Sequence, residues 1–306
     1  NRSYFLSRSQ PPFFSLMVKL LAKHKGQGVI GKYLPHLIRE YDFWMRPDSQ
    51  RTQQAEGYTM NRYFDNKDFP REESYKEDVN LSGKFPHPMI QVRAACESGW
   101  DFSSRWFADY KSLEKIRTTY ILPIDLNCLL FHLEQMIYNG SILTQELDQA
   151  ARFYVLCEKR QQAINDLFYN KKTNFYADYI LEEGVSHYPT LAMLYPLFFE
   201  LVTPERAAST AEYIKEHFLL PGGLPTTLTD SGEQWDFPNG WAPLQWIAVK
   251  GLDNYGYHDL AKDIAQRWCT LNEKVFKSTG KMMEKYNVAD LSLMAGGGEY
   301  DVQTGF

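Results

Sequence analysis

The stretch Glu97-Ser98-Gly99-Trp100-Asp101-Phe102-Ser103-Ser104-Arg105-Trp106 gathers two carboxylates, a guanidinium, two indoles, a glycine and serine hydroxyls. A core helix has no use for that mixture, because every polar group it buried would need a partner. A pocket for a polyhydroxylated ligand does. Aromatic faces such as Trp100 can stack on sugar C–H surfaces, while charged groups take the hydroxyls. The matching chemistry is cleavage of an acetal. A proton must reach the leaving oxygen while water attacks the anomeric carbon from the opposite face. Asp101 is the candidate for one carboxylate of such a pair and must hold its proton at rest; an apolar wall favours that.

Other polar, aromatic stretches interrupt the chain: Arg8-Ser9-Gln10-Pro11-Pro12, Arg71-Glu72-Glu73-Ser74-Tyr75, Gln234 to Trp246, and Glu284 to Phe306. Trp235, Trp241 and Trp246 share no single helical face, and Pro238-Asn239-Gly240 reads as a turn. Each feature also has a plainer reading. Asp101 could pair with Arg105 one helical turn on, Glu284 beside Lys285 resembles a solvated helix end, and Asp236 could cap the helix after it.

The elements that must position these residues are helical. Phe14, Met17, Leu20 and Leu21 recur at helical spacing between Pro11 and Lys23, and Val29, Ile30, Tyr33, Leu37 and Tyr41 repeat after a Gly-Gln-Gly turn. Residues 46–84 are polar and punctuated by proline, which predicts a long functional loop. Pro123 to Tyr138 reads as a helix. Thr144 is expected to cap the next one, with Leu147, Ala150, Tyr154, Cys157, Ile164 and Leu167 along its inner stripe. Phe175–Tyr179 is strand-like, and Thr190–Val202 predicts a helix buried on most sides. Thr203-Pro204-Glu205 starts another, with Ala207, Ala211, Ile214 and Phe218 inward and Pro221-Gly222-Gly223 as its stop. Two more are expected over 240–255 and 258–277. Very apolar helices alternate with amphipathic ones, as two concentric layers require. The expected fold is all-α, an α/α barrel forming a single domain over residues 1–306, with the site in loops at one end.

Net charge of −5 without a basic tract argues against a nucleic-acid partner and fits a small neutral ligand. Cys96, Cys128, Cys157 and Cys269 are widely spaced and read as free thiols. The histidines form no i,i+4 pair, so no metal site is expected. The longest apolar run, Leu191–Val202, is too short to span a bilayer, so no transmembrane segment is expected. Sequons at Asn1, Asn80 and Asn139 are glycosylation candidates and lean towards a secreted or extracellular membrane-anchored protein. A monomer is expected. The first residue is Asn1 and the last follows a glycine-rich stretch, which suggests a piece of a longer chain.

Gln234-Trp235-Asp236-Phe237-Pro238-Asn239-Gly240-Trp241-Ala242-Pro243-Leu244-Gln245-Trp246 resembles a signature of the trehalases, inverting enzymes that hydrolyse α,α-trehalose to two glucoses. Glu97–Trp106, Arg8–Pro12, Glu284-Lys285-Tyr286 and Gly296-Gly297-Gly298-Glu299-Tyr300 also match that family, in its order. The resemblance implies an (α/α)6 barrel, Asp101 as general acid and Glu284 as general base. It implies sugar contacts from Arg8, Ser9, Gln10, Arg71, Glu73, Gly99 and Glu299. Trp100, Arg105 and Trp241 are added as further substrate contacts, and Gly296–Gly298 as a place where backbone can approach the ligand. No cofactor is implied, since two carboxylates and water suffice. They should stand roughly 6.5–9.5 Å apart. Without the resemblance, Glu299 after three glycines is a better candidate base than Glu284, so base and binder could be swapped. Glu72 stands where the family has proline, and upstream and downstream tryptophan-containing signatures are absent. Another α/α-barrel α-glucoside hydrolase and a non-catalytic sugar-binding relative remain as alternatives.

Overall fold

The alternation of very apolar and one-sided helices becomes layering in space. The computed structural model describes residues 7–83, 88–293 and 304. Helices α1 (Phe14–Lys25) and α2 (Gly28–Met45) pack as a pair through the turn at Gly26. The polar region that follows is not a bare loop. It holds an antiparallel hairpin, β1 (Thr52–Ala55) with β2 (Tyr58–Asn61), and a short helix α3 (Tyr75–Leu81). Its strands are only four residues long, too short for a sustained alternation to be read.

Helix α4 (Pro88–Ser98) follows, then the candidate stretch, then β3 (Ile121–Leu122) and α5 (Ile124–Leu143). Helix α5 is buried almost all round, whereas α6 (Leu147–Leu167), packed along it, buries one stripe: Ala150, Phe153, Cys157, Arg160, Ala163, Ile164 and Leu167. Leu147 and Tyr154, expected on that stripe, face outward. Thr144 does not cap α6 but closes α5, its Oγ1 donating to the Gly140 carbonyl at 3.1 Å.

Short strands come next: β4 (Tyr169–Asn170) pairs with β5 (Phe175–Tyr176), and β6 (Tyr179–Ile180) lies between β3 and β7 (Gly184–Val185), all antiparallel. The buried segment expected as one helix over 190–202 is a 3-10 turn, Leu191–Leu194, running into the single turn α7 (Tyr195–Phe198). Pro196 fits only the first turn of a helix, which is where it sits. Thr203 then caps α8 (Pro204–Tyr213), continued by a π turn over Ile214–Phe218, and Ala207, Ala211, Ile214 and Phe218 are all buried as expected. After β8 (Asn239–Gly240), helix α9 (Ala242–Asn254) packs between α7 and α10 (His258–Thr279), and β9 (Tyr286–Asn287) follows.

The fold is all-α and of the (α/α)6-barrel class, with only small two- and three-stranded sheets among the described residues. In α1 the buried residues are Ser15, Val18 and Ala22, small enough for close approach to α5, so Met17 and Leu20 are left exposed. No helix among the described residues is long and apolar enough to cross a membrane.

Candidate active site

Helix α4 carries the first half of the site at its C-terminal end. Gly99 turns the chain out of the helix at φ +82, a conformation that suits glycine. The Ser98 hydroxyl accepts from the Trp100 amide at 3.0 Å, and Asp101 emerges half-buried beyond it. One turn back, Glu97 is fully buried. Its Oε1 accepts from the Ser9 amide at 2.8 Å, the Ser9 hydroxyl at 2.6 Å and Arg51 Nη2 at 2.8 Å, and its Oε2 from the Phe64 amide at 2.8 Å. Glu97 thereby pins the Arg8–Gln10 segment and the strand exit at Phe64 to the helix that ends at the site.

Arg8 is buried and forms an ion pair with Glu73, while Gln10 is exposed. Arg71 is 5% exposed and grips Asp78 with Nε at 3.0 Å and Nη2 at 2.7 Å. Its Nη1 donates to Cys96 Sγ at 3.0 Å, and its guanidinium lies 5.1 Å from the Phe102 ring centroid. Burial works against the Arg71 charge, but Cys96, Asp78 and Asp101 together push its pKa above the usual arginine value. Burial, and after it the neighbouring Asp101, push the Cys96 thiol up to about 12, so it stands beside the site as a neutral acceptor. Arg71 and Phe102 line a cleft of about 380 Å³ with Asp78 and Gly232-Glu233. Glu72, where the family has proline, is about half exposed and lies 4.0 Å from Arg93.

Arg105, expected as a substrate contact, is enclosed by carboxylates. It is 2% exposed, and both edges of its guanidinium are occupied, Nη1 and Nη2 by Asp125 at 2.9 and 2.8 Å and Nε and Nη2 by Asp178 at 2.7 and 2.8 Å. Trp100 and Trp241 are likewise enclosed, each 4% exposed. They flank Trp235 in a stack of near-parallel indoles, with centroids 5.5 Å apart at 14° and 3.8 Å apart at 5°. Arg105 closes the Trp100 end at 4.4 Å, and Lys285 lies 5.5 Å from the Trp241 ring. Only Trp235, in the middle of the three, is partly exposed.

The stretch 234–240 joins this half to the second carboxylate. The Trp235 amide donates to the Phe102 carbonyl at 3.0 Å, and Gln234 Nε2 donates to the Asp101 carbonyl. Asp236, fully buried, accepts from the Ser103 hydroxyl at 2.9 Å, the Ser104 amide and hydroxyl at 2.7 Å each, the Thr227 hydroxyl at 2.8 Å, and the Ser231 hydroxyl. It ties loops together rather than capping α9. Burial leaves its pKa raised despite these donors. On the other side, β8 pairs with β9 in the register Asn239↔Asn287 and Gly240↔Tyr286, and the Val288 amide donates to the Pro238 carbonyl at 3.0 Å. A Cβ on Gly240 would meet Val288 Cγ1 at 2.5 Å, so the close approach of these strands requires glycine. Glu284 stands just before β9 with its side chain a quarter exposed, and Lys285 beside it is buried.

Glu97, Asp78, Gln234 and Lys285 were not singled out from the sequence. Glu97, Gln234 and Lys285 lie inside stretches that were, but their types alone gave no sign of partners 33 to 133 residues away. Glu299, Gly296–Gly298 and Asn1 lie outside the described residues. Asn80 is exposed on α3, whereas Asn139 is half-buried within α5. Cys96, Cys128 and Cys157 are buried free thiols, and Cys269 is exposed. A larger cleft of about 1200 Å³, lined by Met17, Leu20, Phe131, His132, Phe198 and Trp246 among others, contains none of the candidate catalytic or sugar-contact residues. No group of side chains suited to a metal ion occurs among the described residues.

A family model described as Trehalase matches residues 1–306. The periplasmic trehalase of Salmonella paratyphi B is 43% identical over 321 aligned residues, which cover 100% of this chain and 56% of that protein. The periplasmic trehalase of Citrobacter koseri matches with the same identity and coverage, 43%, 100% and 56%. The chain thus spans little more than half the length of these curated relatives. Among solved structures, the neutral trehalase of Saccharomyces cerevisiae superposes with a TM-score of 0.80 at 26% identity, over 96% of this chain and 61% of that one. A mannosylglycerate hydrolase from Thermus thermophilus gives a TM-score of 0.60 at 17% identity, over 96% and 72% of the two chains, a likeness of fold alone.

Proposed function

The chain belongs to the trehalase family, and on that footing we propose that the whole protein hydrolyses α,α-trehalose to two glucoses with inversion, Asp101 acting as general acid and Glu284 as general base. The observation that carries the reading is the join: residues 234–240 touch the Asp101 loop on one side and the strand beside Glu284 on the other. Two carboxylates from stretches more than 180 residues apart in sequence are thereby built into one assembly.

In this reading Asp101 gives its proton to the glycosidic oxygen as the C1–O bond breaks. Glu284 takes a proton from water, whose oxygen bonds to C1 from the opposite face. The attacked ring leaves as β-glucose and the other as α-glucose. Arg71, whose guanidinium feels the Asp101 charge, stabilises the carboxylate that forms as the proton departs, an interaction stronger in the transition state than before it. Arg8, Ser9, Gln10, Arg71, Glu73, Gly99 and Glu299 are proposed sugar contacts. The relatives named periplasmic support a periplasmic or extracellular location.

Proton NMR of the whole protein mixed with trehalose tests the reading. Equal early amounts of α- and β-glucose are expected, and Asp101→Asn should lower the rate at least ~100-fold. Only α-glucose would mean retention and would overturn the acid–base assignment. A silent protein would overturn the activity.

A further inference from the structure

Lys285 is a lysine with its side chain 2% exposed, immediately after the proposed base. A buried ammonium needs partners in fixed places. Its Nζ lies 3.3 Å from Glu284 Oε2 and 3.3 Å from Gln234 Oε1, and over the Trp241 face. Gln234 is itself held at both ends. Its carbonyl accepts from Trp241 Nε1 at 3.0 Å and Asn239 Nδ2 at 3.1 Å, while its side-chain Nε2 donates to the Asp101 carbonyl. The amide has one orientation that works. Turned over, it would set oxygen against the Asp101 carbonyl and NH2 against the ammonium. The Gln234 amide is therefore a bar of fixed length from the backbone of Asp101 to the cation beside Glu284.

We propose that Lys285 and Gln234 are positioning residues: Lys285 orients the Glu284 carboxylate for the attacking water, and Gln234 sets its place relative to Asp101. The proposal rests on Asp101 and Glu284 being acid and base. Lys285 suits the task because its ammonium is buried while the Glu284 side chain it holds is a quarter exposed to the solvent that supplies the attacking water. Its Nζ lies over the Trp241 ring, 5.5 Å from the centroid, so its direction is set before any substrate arrives.

Two substrates separate the two ends of the bar. Trehalose needs the acid's proton, whereas α-glucosyl fluoride loses fluoride without it and still needs the base to deprotonate water. In the full-length protein, Lys285→Met keeps the apolar stem and removes the charge. Its kcat should fall about 100-fold on both substrates, with KM within about threefold, and Lys285→Arg should recover much of the loss. Gln234→Glu keeps an acceptor for Lys285 but removes the donor to Asp101, so its loss on trehalose should shrink on the fluoride. Rates are taken per active site, titrated with a tight-binding inhibitor, so partial unfolding does not count as lost positioning. A Lys285→Met kcat within about threefold of the unsubstituted protein, or a loss confined to trehalose, overturns the proposal. Should that variant not fold, an equal loss on both substrates in Gln234→Glu overturns it. An unsubstituted protein that releases no glucose fails the reading of function instead.

Discussion

The two ends of the indole stack are made from the same parts and finished differently. At one end Arg105 lies over Trp100 and is gripped by Asp125 and Asp178 through bonds of 2.7–2.9 Å. At the other, Lys285 lies over Trp241 with contacts of 3.3 Å, and its carboxylate neighbour is a quarter exposed. Cation, aromatic face and carboxylate occur at both. At the Arg105 end both edges of a buried guanidinium are engaged by carboxylates less than a tenth exposed, which makes scaffold. At the Lys285 end the contacts are longer and the Glu284 side chain is a quarter exposed to solvent, where a hydrolysis finds its water.

The comparison breaks most visibly at Arg105. Arg105→Met strands two buried carboxylates and should cost about 3–5 kcal/mol of stability, read as a drop in the urea midpoint. The rate per titrated active site should stay within about threefold; a much larger loss would make Arg105 part of the site. Gly240→Ala acts at the opposite end. Its Cβ would sit 2.5 Å from Val288 Cγ1 and 3.1 Å from the Leu224 carbonyl, forcing β8 from β9. A stability loss of about 1–3 kcal/mol is expected, with a fall in rate per site because Glu284 shifts with β9. An unchanged rate would mean that this joint does not place the base.

The smallest effect calibrates both. Glu40 on α2 is partly buried, its Oε2 has no partner among the described residues, and burial pushes its pKa up from 4.5 to about 7. The folded chain then binds the proton more readily than the unfolded one, so stability falls as pH rises between those values. Glu40→Gln should be neutral near pH 4 and stabilising by about 1 kcal/mol near pH 8, after allowing for its partial exposure. A thermal melt series across that range checks the sign. Equal effects at both ends would remove the titration as the cause.

The helices were legible because burial imposes a period. Ala207, Ala211, Ile214 and Phe218 face inward as their spacing requires. The pattern failed where one turn or strand was too short to show a period, as in β1 and β2, or where Pro196 divided an apolar run. In the site, residue types announced polarity but not partners. Arg105 and Arg71 both read as possible sugar contacts, and nothing local announced that Asp125 and Asp178 grip the one while Asp78 and Cys96 hold the other. Asp236 gathers hydroxyls from two stretches, 103–104 and 227–231, which no local pattern encodes.

The stacked indoles also give the protein an optical signature. Trp235 and Trp241 lie 3.8 Å apart and nearly parallel, close enough for their electronic transitions to couple, with Trp100 next in line. Trp100 belongs to the loop of Asp101, and the other two to the stretch that reaches Glu284. A near-ultraviolet circular dichroism band from this trio would report whether the two halves are seated on each other, without a label and before any sugar is added.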